Sequence, residues 1–265
     1  MLNGYSSDTQ YSCALITGAT SGIGESFARL LPTTTNLILT GRDKQKLAEL
    51  SMHLASEGRT VDTIAADLGT PKGREKLMAG IIKSPIDLLI NNAGLGSYGA
   101  FIETPYDREK EMIDVNITAV LELSRSLLPN MIARASTDKK RAGMIVVSST
   151  ASAMPIPYLA TYAATKAFER HWGEAIAEEL REQPIDILVL CPGTTRTKFF
   201  RRARFRGSMP MSMEEPDAVA MKALRSLGKR RVLISNKFLR LALAPTIMPR
   251  QLLTRGIGQF LKRQN

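Results

Sequence analysis

The segment TGATSGIG, residues 17–24, decides the fold class of this chain. It follows a short apolar run at 12–17, which predicts a strand, and opens a run over 22–31 that predicts a helix ended by Pro32. Glycines at 18, 22 and 24 allow a tight turn and a close backbone approach to a phosphate. The free N–H groups at the start of the helix favour an anion there. A glycine-rich turn that binds nothing is the alternative, but the strand–turn–helix context favours nucleotide binding.

The same alternation continues along the chain. Apolar runs predict further strands at 37–40, 61–65, 86–90, 144–147, 185–190 and 232–235. Helical periodicity falls between them, over 43–57, 71–83, 106–134, 160–182 and 214–228, and the polar segment 134–143 is typical of a surface loop. Continuous apolar strands separated by helices predict one α/β, doubly wound (Rossmann-type) domain over 1–265, with a mostly parallel sheet and helices on both faces. Three segments stand apart within it: a polar extension at 1–11, a substrate lid at 198–228 and a basic, apolar tail at 236–265.

Composition excludes several classes of protein. The chain of 265 residues is 44% hydrophobic and 23% charged, as in ordinary globular enzymes. Its two cysteines cannot form a disulfide framework, and its two histidines have no ligand-like neighbours, so no metal site is expected. The N-terminus lacks the layout of a signal peptide, and no run of about 18 apolar residues predicts a membrane-spanning helix. We therefore expect a cytoplasmic protein, with peripheral membrane contact as the alternative.

The net charge of +11 is concentrated in the last quarter of the chain. Residues 1–195 hold 19 Lys+Arg against 22 Asp+Glu, a balance of −3, whereas residues 196–265 hold 17 against 3, a balance of +14. The basic character thus belongs to the C-terminal region and does not argue against an ordinary enzyme core.

The end of the second predicted strand indicates which dinucleotide would bind. Related folds place a carboxylate near this point for the ribose hydroxyls of NAD, whereas an arginine suits a 2′-phosphate. Here Arg42 offers a planar, permanently charged fork, so NADP(H) is preferred over NAD(H). Solvated charges at a helix start are the alternative. Asp67 and Leu68, which end the third strand, would border the adenine ring.

Tyr162 and Lys166 lie four residues apart on a predicted helix, so both side chains project from one face. A phenol has a pKa near 10, and a nearby ammonium lowers it toward the range needed for proton transfer. Ser149 follows the preceding strand, at the edge of the sheet where ligands bind, and its hydroxyl can hold a carbonyl oxygen. The Tyr-x-x-x-Lys spacing is weak evidence alone, and Ser149 strengthens it.

These motifs, in this order, resemble the short-chain dehydrogenase/reductase family over roughly residues 12–200. The matching segments are TGATSGIG at 17–24, NNAG at 91–94, DVNITA around Asn116, SST at 148–150, YAATK at 162–166 and PGTTRT at 192–197. The resemblance implies an enzyme that transfers hydride between a nicotinamide cofactor and a carbonyl or alcohol, and a homodimer or homotetramer.

The resemblance also implies roles for single residues. Tyr162 would be the general acid/base, Lys166 would lower its pKa and bind the nicotinamide ribose, Ser149 would bind the substrate oxygen, and Asn116 would complete a water-mediated proton relay. Ser148, on the other strand face, is the alternative to Ser149. The remaining cofactor contacts would come from Gly18, Thr20, Ser21, Gly22, Ile23, Gly24, Asn91, Ala93, Gly94, Pro192, Gly193, Thr195 and Thr197. Without the other motifs, NNAG would be a strand-ending turn and Asn116 a buried structural amide.

The basic C-terminal quarter leaves alternatives open. Phe199, Phe200 and Phe205 stand among arginines, which suits an apolar substrate with an acidic end, a membrane surface or a lid with solvated charges. The tail 236–265 is either an interfacial segment on anionic lipid or a subunit-contact helix. No nucleic-acid-reading motif is present.

The sequence therefore predicts an NADP(H)-dependent carbonyl reductase, reversible as an alcohol dehydrogenase, with a small-molecule substrate. The alternatives are an NADP(H)-binding regulatory protein without turnover, and a reductase held at a membrane that acts on a lipid-like substrate.

Overall fold

A computed structural model of the chain describes residues 11–203, 205 and 213–236. Most of the predicted polar extension at 1–11, part of the predicted lid at 198–228 and nearly all of the predicted tail at 236–265 lie outside these residues. Among the described residues, no helix combines the length and apolarity needed to cross a membrane.

Seven strands of the described residues form one sheet, and every neighbouring pair among them is parallel. In chain order the strands are β1 (Cys13–Thr17), β2 (Asn36–Gly41), β3 (Val61–Ala65), β4 (Leu88–Asn91), β5 (Ala142–Val147), β6 (Ile185–Cys191) and β7 (Val232–Ile234). In space they follow the order β3-β2-β1-β4-β5-β6-β7, so the direction of winding reverses between β1 and β4. A crevice opens at such a reversal, beyond the carboxyl ends of the strands.

In the described part of the chain, eight α-helices connect or follow these strands. They are α1 (Gly22–Leu30), α2 (Lys44–Leu54), α3 (Pro71–Ile81), α4 (Tyr106–Ile113), α5 (Ala119–Asp138), α6 (Ala160–Glu179), α7 (Phe199–Arg202) and α8 (Pro216–Ser226). Short 3₁₀ turns span Phe101–Glu103 and Thr150–Ala153, and a π-helical turn, Asp114–Thr118, joins α4 to α5.

The core consists of two apolar layers, one on each face of the sheet. Phe27 of α1, Leu47 of α2 and Val219 of α8 belong to one layer. Leu77 of α3, Leu123 of α5 and Ala177 of α6 belong to the other. The predicted doubly wound α/β fold is therefore confirmed, and the sheet is parallel throughout its described strands.

The predicted loop at 134–143 is wrong for most of its length. Helix α5 continues to Asp138 and β5 begins at Ala142, which leaves three residues between them. Ala135 is buried in the core, and the Arg134 guanidinium donates to the backbone oxygen of Ile86. These tertiary contacts stabilise a helical turn whose polar composition alone does not favour it.

Candidate active site

A cleft of about 840 Å³ lies along the carboxyl edge of the sheet, where the winding reverses. Its walls come from the glycine-rich turn, the ends of β2 to β6, the start of α6 and the segment around α7. The sequence-predicted site residues that line it are Gly18, Thr20, Ser21, Gly22, Ile23, Arg42, Asp67, Leu68, Ala93, Gly94, Ser149, Tyr162, Lys166, Pro192, Gly193, Thr195 and Thr197.

The three glycine positions of the turn leave no room for a side chain. Gly18 and Gly22 have φ values of +65° and +60°, a region that other residues rarely adopt. A Cβ on Gly22 would lie 2.9 Å from the side chain of Thr197, and one on Gly24 would lie 2.4 Å from the Gly18 carbonyl oxygen. The turn is thus a backbone cradle of the kind that holds a pyrophosphate against a helix N-terminus.

Asn92 and Thr17 hold this turn against the end of β4. The Thr17 hydroxyl accepts from the backbone N–H groups of Asn92 and Ala93, at 2.9 Å each. The Asn92 side-chain amide donates to the Thr17 and Gly18 carbonyls at 2.8 and 3.2 Å. Within NNAG it is therefore the second asparagine, which sequence reasoning did not single out, that shapes the cleft.

Three predicted site residues do not line the cleft. Gly24 is buried beneath the turn, and Asn91 donates to the Ser124 hydroxyl of α5 at 3.0 Å, away from the cleft. Asn116 is fully buried in the π-helical turn. The Asn91 side chain thus makes a structural hydrogen bond to α5 instead of facing the cleft, because adjacent strand residues face opposite sides of the sheet.

The side-chain amide of Asn116 joins three segments. It donates to the Leu95 carbonyl at 3.0 Å and to the Thr165 hydroxyl at 2.9 Å, and its oxygen accepts from the Leu95 N–H at 2.8 Å. Thr165 in turn donates to the backbone oxygen of Tyr162 at 2.9 Å. Asn116 thus connects the segment after β4 to the helix that carries the tyrosine.

Tyr162, Lys166 and Ser149 come together at one end of the cleft, which we call the catalytic end. Tyr162 is 8% exposed and Lys166 is 4% exposed, and the lysine nitrogen lies 6.0 Å from the centre of the phenol ring. The Ser149 hydroxyl lies near enough to the phenol to lower its pKa. Ser148 instead donates to the backbone oxygen of Lys166 at 2.7 Å, so Ser149 is the serine beside the phenol.

Burial raises the pKa of Tyr162 above that of a free phenol, because a phenolate is poorly solvated there. The Lys166 ammonium and the nearby Ser149 hydroxyl oppose this effect, while the Glu169 carboxylate adds to it. Lys166 therefore lowers the pKa of the phenol, as predicted, although burial has the larger effect.

The far end of the cleft, which we call the adenosine end, contains Arg42 and Asp67. The Arg42 side chain is 53% exposed and pairs with Glu111 of α4 at 2.9 Å. Asp67 accepts from the backbone N–H of Gly69 at 3.0 Å and so shapes the turn after β3. A guanidinium at the end of β2 is placed where a dinucleotide presents its adenosine ribose.

Aromatic rings close the cleft beside the catalytic end. The Phe199 ring lies 5.2 Å from that of Tyr162, and Phe200 and Phe205 pack edge-on at 5.9 Å. Tyr98 packs edge-on against Phe205 at 4.7 Å. Because Arg108 donates to the Arg202 carbonyl at 2.8 Å, the segment around α7 is tied to α4. This wall suits a substrate with an apolar body.

The pattern of the short chain dehydrogenase family matches residues 12–206. A very-long-chain 3-oxoacyl-CoA reductase from Meyerozyma guilliermondii is 30% identical over 225 residues, which are 82% of this chain and 65% of that protein. The chain thus spans just under two thirds of the length of this relative. Dehydrogenase/reductase SDR family member 7B from Bos taurus is 30% identical over 82% of this chain and 70% of that protein.

A solved structure shows the same arrangement. The short-chain dehydrogenase from Sphingobium yanoikuyae in complex with NADPH superimposes with a TM-score of 0.78 at 28% identity, over 96% of each chain. The described helices and strands of this chain therefore follow those of a protein that binds a nicotinamide dinucleotide.

Proposed function

Because this chain belongs to the short-chain dehydrogenase/reductase family, and so is an oxidoreductase of keto and hydroxyl groups, we propose that it is an NADP(H)-dependent carbonyl reductase with Tyr162 as its proton donor. One observation carries the proposal: the phenol of Tyr162, the ammonium of Lys166 and the hydroxyl of Ser149 share one wall of the cleft, next to a glycine cradle.

The residues of the cleft fit a nicotinamide dinucleotide. The turn at 17–24 packs closely against the residues after β4 and β6 because its glycines lack side chains. The free N–H groups at the start of α1 can then face phosphate oxygens. At Gly94, a Cβ would lie 3.2 Å from the lysine nitrogen, so the glycine keeps one side of Lys166 open. When bound, the cofactor supplies the hydride, and the protein supplies the proton and the geometry.

Each side chain at the catalytic end then has a task. Ser149 holds the carbonyl oxygen of the substrate and polarises it. Tyr162 donates a proton to that oxygen as it gains electron density, and Lys166 stabilises the phenolate that remains. Asn116 acts indirectly in this scheme, since its side-chain amide is already bonded to Leu95 and Thr165 and holds the helix that carries Tyr162.

Two finer points belong to the same proposal. Arg42 would bind the 2′-phosphate of NADP(H), because a guanidinium forms paired hydrogen bonds with phosphate oxygens. A 3-oxoacyl thioester is the leading substrate, since the first relatives are 3-oxoacyl-CoA reductases and the Phe199 wall is apolar. Homo-oligomerisation and contact of the basic tail with anionic lipid remain part of the proposal.

The test is NADPH oxidation, followed by absorbance, with 3-oxoacyl thioesters, ketones, aldehydes and steroids. We expect turnover with at least one class and a loss on the order of 10³-fold or more in Tyr162→Phe, since general acid catalysis and the anchoring of the oxygen are both lost. Tyr106→Phe is the matched control, because Tyr106 is 76% exposed on α4. Near-normal turnover in Tyr162→Phe would overturn the proposed mechanism, and NADPH binding without any turnover would favour a regulatory protein.

A further inference from the structure

Glu169 lies one helical turn after Lys166, and it is only 1% exposed. Its Oε1 accepts a hydrogen bond from the lysine nitrogen at 2.9 Å, and its Oε2 lies 2.9 Å from the same nitrogen. Among the described residues, Oε2 has no hydrogen-bond partner of its own. A carboxylate is therefore buried directly behind the lysine of the proposed catalytic end.

The ion pair explains how Lys166 is held. An ammonium has three N–H donors, and here one goes to the Val147 carbonyl at 3.0 Å and one to Glu169. The remaining donor has no hydrogen-bond partner among the described residues, and Lys166 lines the cleft. The carboxylate also supplies the counter-charge that a buried ammonium requires.

Glu169 also acts on Tyr162 through space. The lysine charge lowers the pKa of the phenol, and the Glu169 charge raises it. No other charged side chain of the described residues, whether from β5, β6, α4 or the π-helical turn, acts on Glu169 beside Lys166. The Cys191 thiol of β6 also senses the carboxylate, and burial raises its pKa to about 11, so it stays protonated.

We propose that Glu169 is a positioning residue: through its buried ion pair it fixes the Lys166 ammonium and moderates the attraction of that ammonium for the Tyr162 phenolate. The inference rests on the proposed role of Tyr162 as the proton donor. It adds a fourth member to the Ser149, Tyr162 and Lys166 set, placed at a position that touches neither substrate nor cofactor in this scheme.

The protonation state of Glu169 supports this role. Burial raises the pKa of its carboxyl from 4.5 to about 7, although Lys166 opposes the shift. Below this pH a neutral carboxyl leaves the full lysine charge acting on the phenol. Above this pH, the charges of Glu169 and Lys166 nearly cancel at the position of Tyr162, so the phenol holds its proton more strongly.

The test is a spectroscopic titration of the Tyr162 phenol, read as the tyrosinate absorbance of each protein minus that of its Tyr162→Phe counterpart. In Glu169→Gln we expect the pKa of Tyr162 to fall by about one unit, because a charge a few ångströms away is removed in a medium of low polarity. The pH profile of alcohol oxidation, which needs the phenolate, should move the same way.

Two further variants separate charge from shape. Glu169→Asp keeps the charge and should leave the pKa of Tyr162 close to that of the parent, while a shorter arm lowers the rate. Glu174→Gln is the matched control, since Glu174 pairs with Arg170 on the same helix and is 40% exposed. It should change neither the titration nor the rate.

An unchanged or higher pKa of Tyr162 in folded Glu169→Gln would overturn the inference. Glu169→Leu also removes the charge and should lower the pKa of Tyr162 in the same way. It serves as a second variant because a leucine needs no hydrogen-bond partner in the core. Unfolding of both variants would make Glu169 a residue of the fold and would also overturn it. The titration needs no substrate, so it tests the role of Glu169 without an activity assay. The proposed function is tested separately, by whether Tyr162→Phe retains turnover.

Discussion

At the catalytic end of the cleft, Tyr162 and Lys166 are buried, and the Lys166 ammonium donates to the Val147 carbonyl and to the Glu169 carboxylate. At the adenosine end, Arg42 is half exposed and pairs with Glu111, whose side chain is 31% exposed. The first arrangement is a network of buried hydrogen bonds between β5, α6 and the π-helical turn, and the second is a single surface ion pair.

The difference has energetic consequences. Removing one partner of a buried hydrogen bond leaves the other unsatisfied, which costs about 1–3 kcal/mol. An exposed ion pair contributes about 0–1 kcal/mol, so either partner can exchange for another ligand at little cost. We infer that the catalytic end is preformed, whereas the adenosine end exchanges Glu111 for a phosphate when the cofactor binds.

Asn116→Ala should have the largest effect of the three substitutions that test this contrast. It leaves the Leu95 carbonyl and N–H and the Thr165 hydroxyl without their partner. We expect the free energy of unfolding to fall by about 2–4 kcal/mol and turnover to fall on the order of 10²-fold as Tyr162 loses its alignment. Chemical denaturation and steady-state kinetics measure the two effects.

Asn130→Ala is the control for that substitution, because Asn130 is exposed on α5. It should change stability by less than about 0.5 kcal/mol. A similar small change in Asn116→Ala would show that the catalytic end is not held by this amide.

Arg42→Ala should have an intermediate effect that depends on the cofactor. We expect the KM for NADPH to rise on the order of 10- to 150-fold, since a charged hydrogen bond to phosphate contributes about 1.5–3 kcal/mol. The KM for NADH, which lacks the phosphate, should stay nearly unchanged and is the internal control. An equal rise for both cofactors would assign Arg42 to another contact.

Glu111→Gln should have the smallest effect, in the opposite direction. It removes the carboxylate that competes with a phosphate for Arg42, so the KM for NADPH should fall by about 2- to 5-fold, as expected for a surface ion pair. Glu178→Gln is the control, because Glu178 pairs with Arg181 and Arg231 on the surface. A rise in the KM in Glu111→Gln would mean that Glu111 supports binding rather than competing with it.

Much of the fold was predictable because its signals are local. The alternating apolar runs and helical periods predicted all seven described strands and a doubly wound architecture, and the structure confirms both. Errors arose where tertiary contacts outweigh composition, as in 134–143. The helical stretch at 106–134 also proved to be two helices separated by a π-helical turn, Asp114–Thr118.

The candidate site was only partly predictable. The motifs named Tyr162, Lys166 and Ser149, and the structure brings them together. They did not distinguish Asn91 from Asn92, because which of two adjacent residues faces the cleft depends on the pleat of β4. Glu169 was missed, although its spacing of three residues from Lys166 on one helix face was visible in the sequence.

The sequence by itself determined the strand and helix order, the glycine turn and the shared face of Tyr162 and Lys166, since each depends on residues within about two helical turns. Only the tertiary structure decided that Asn116 bonds Leu95 and Thr165, 21 and 49 residues away, and that Arg42 meets Glu111, 69 residues away. It also decided that Glu169 is buried. Such contacts depend on the order of strands in the sheet and on which helix covers which face, and short-range patterns in a chain do not encode that placement directly.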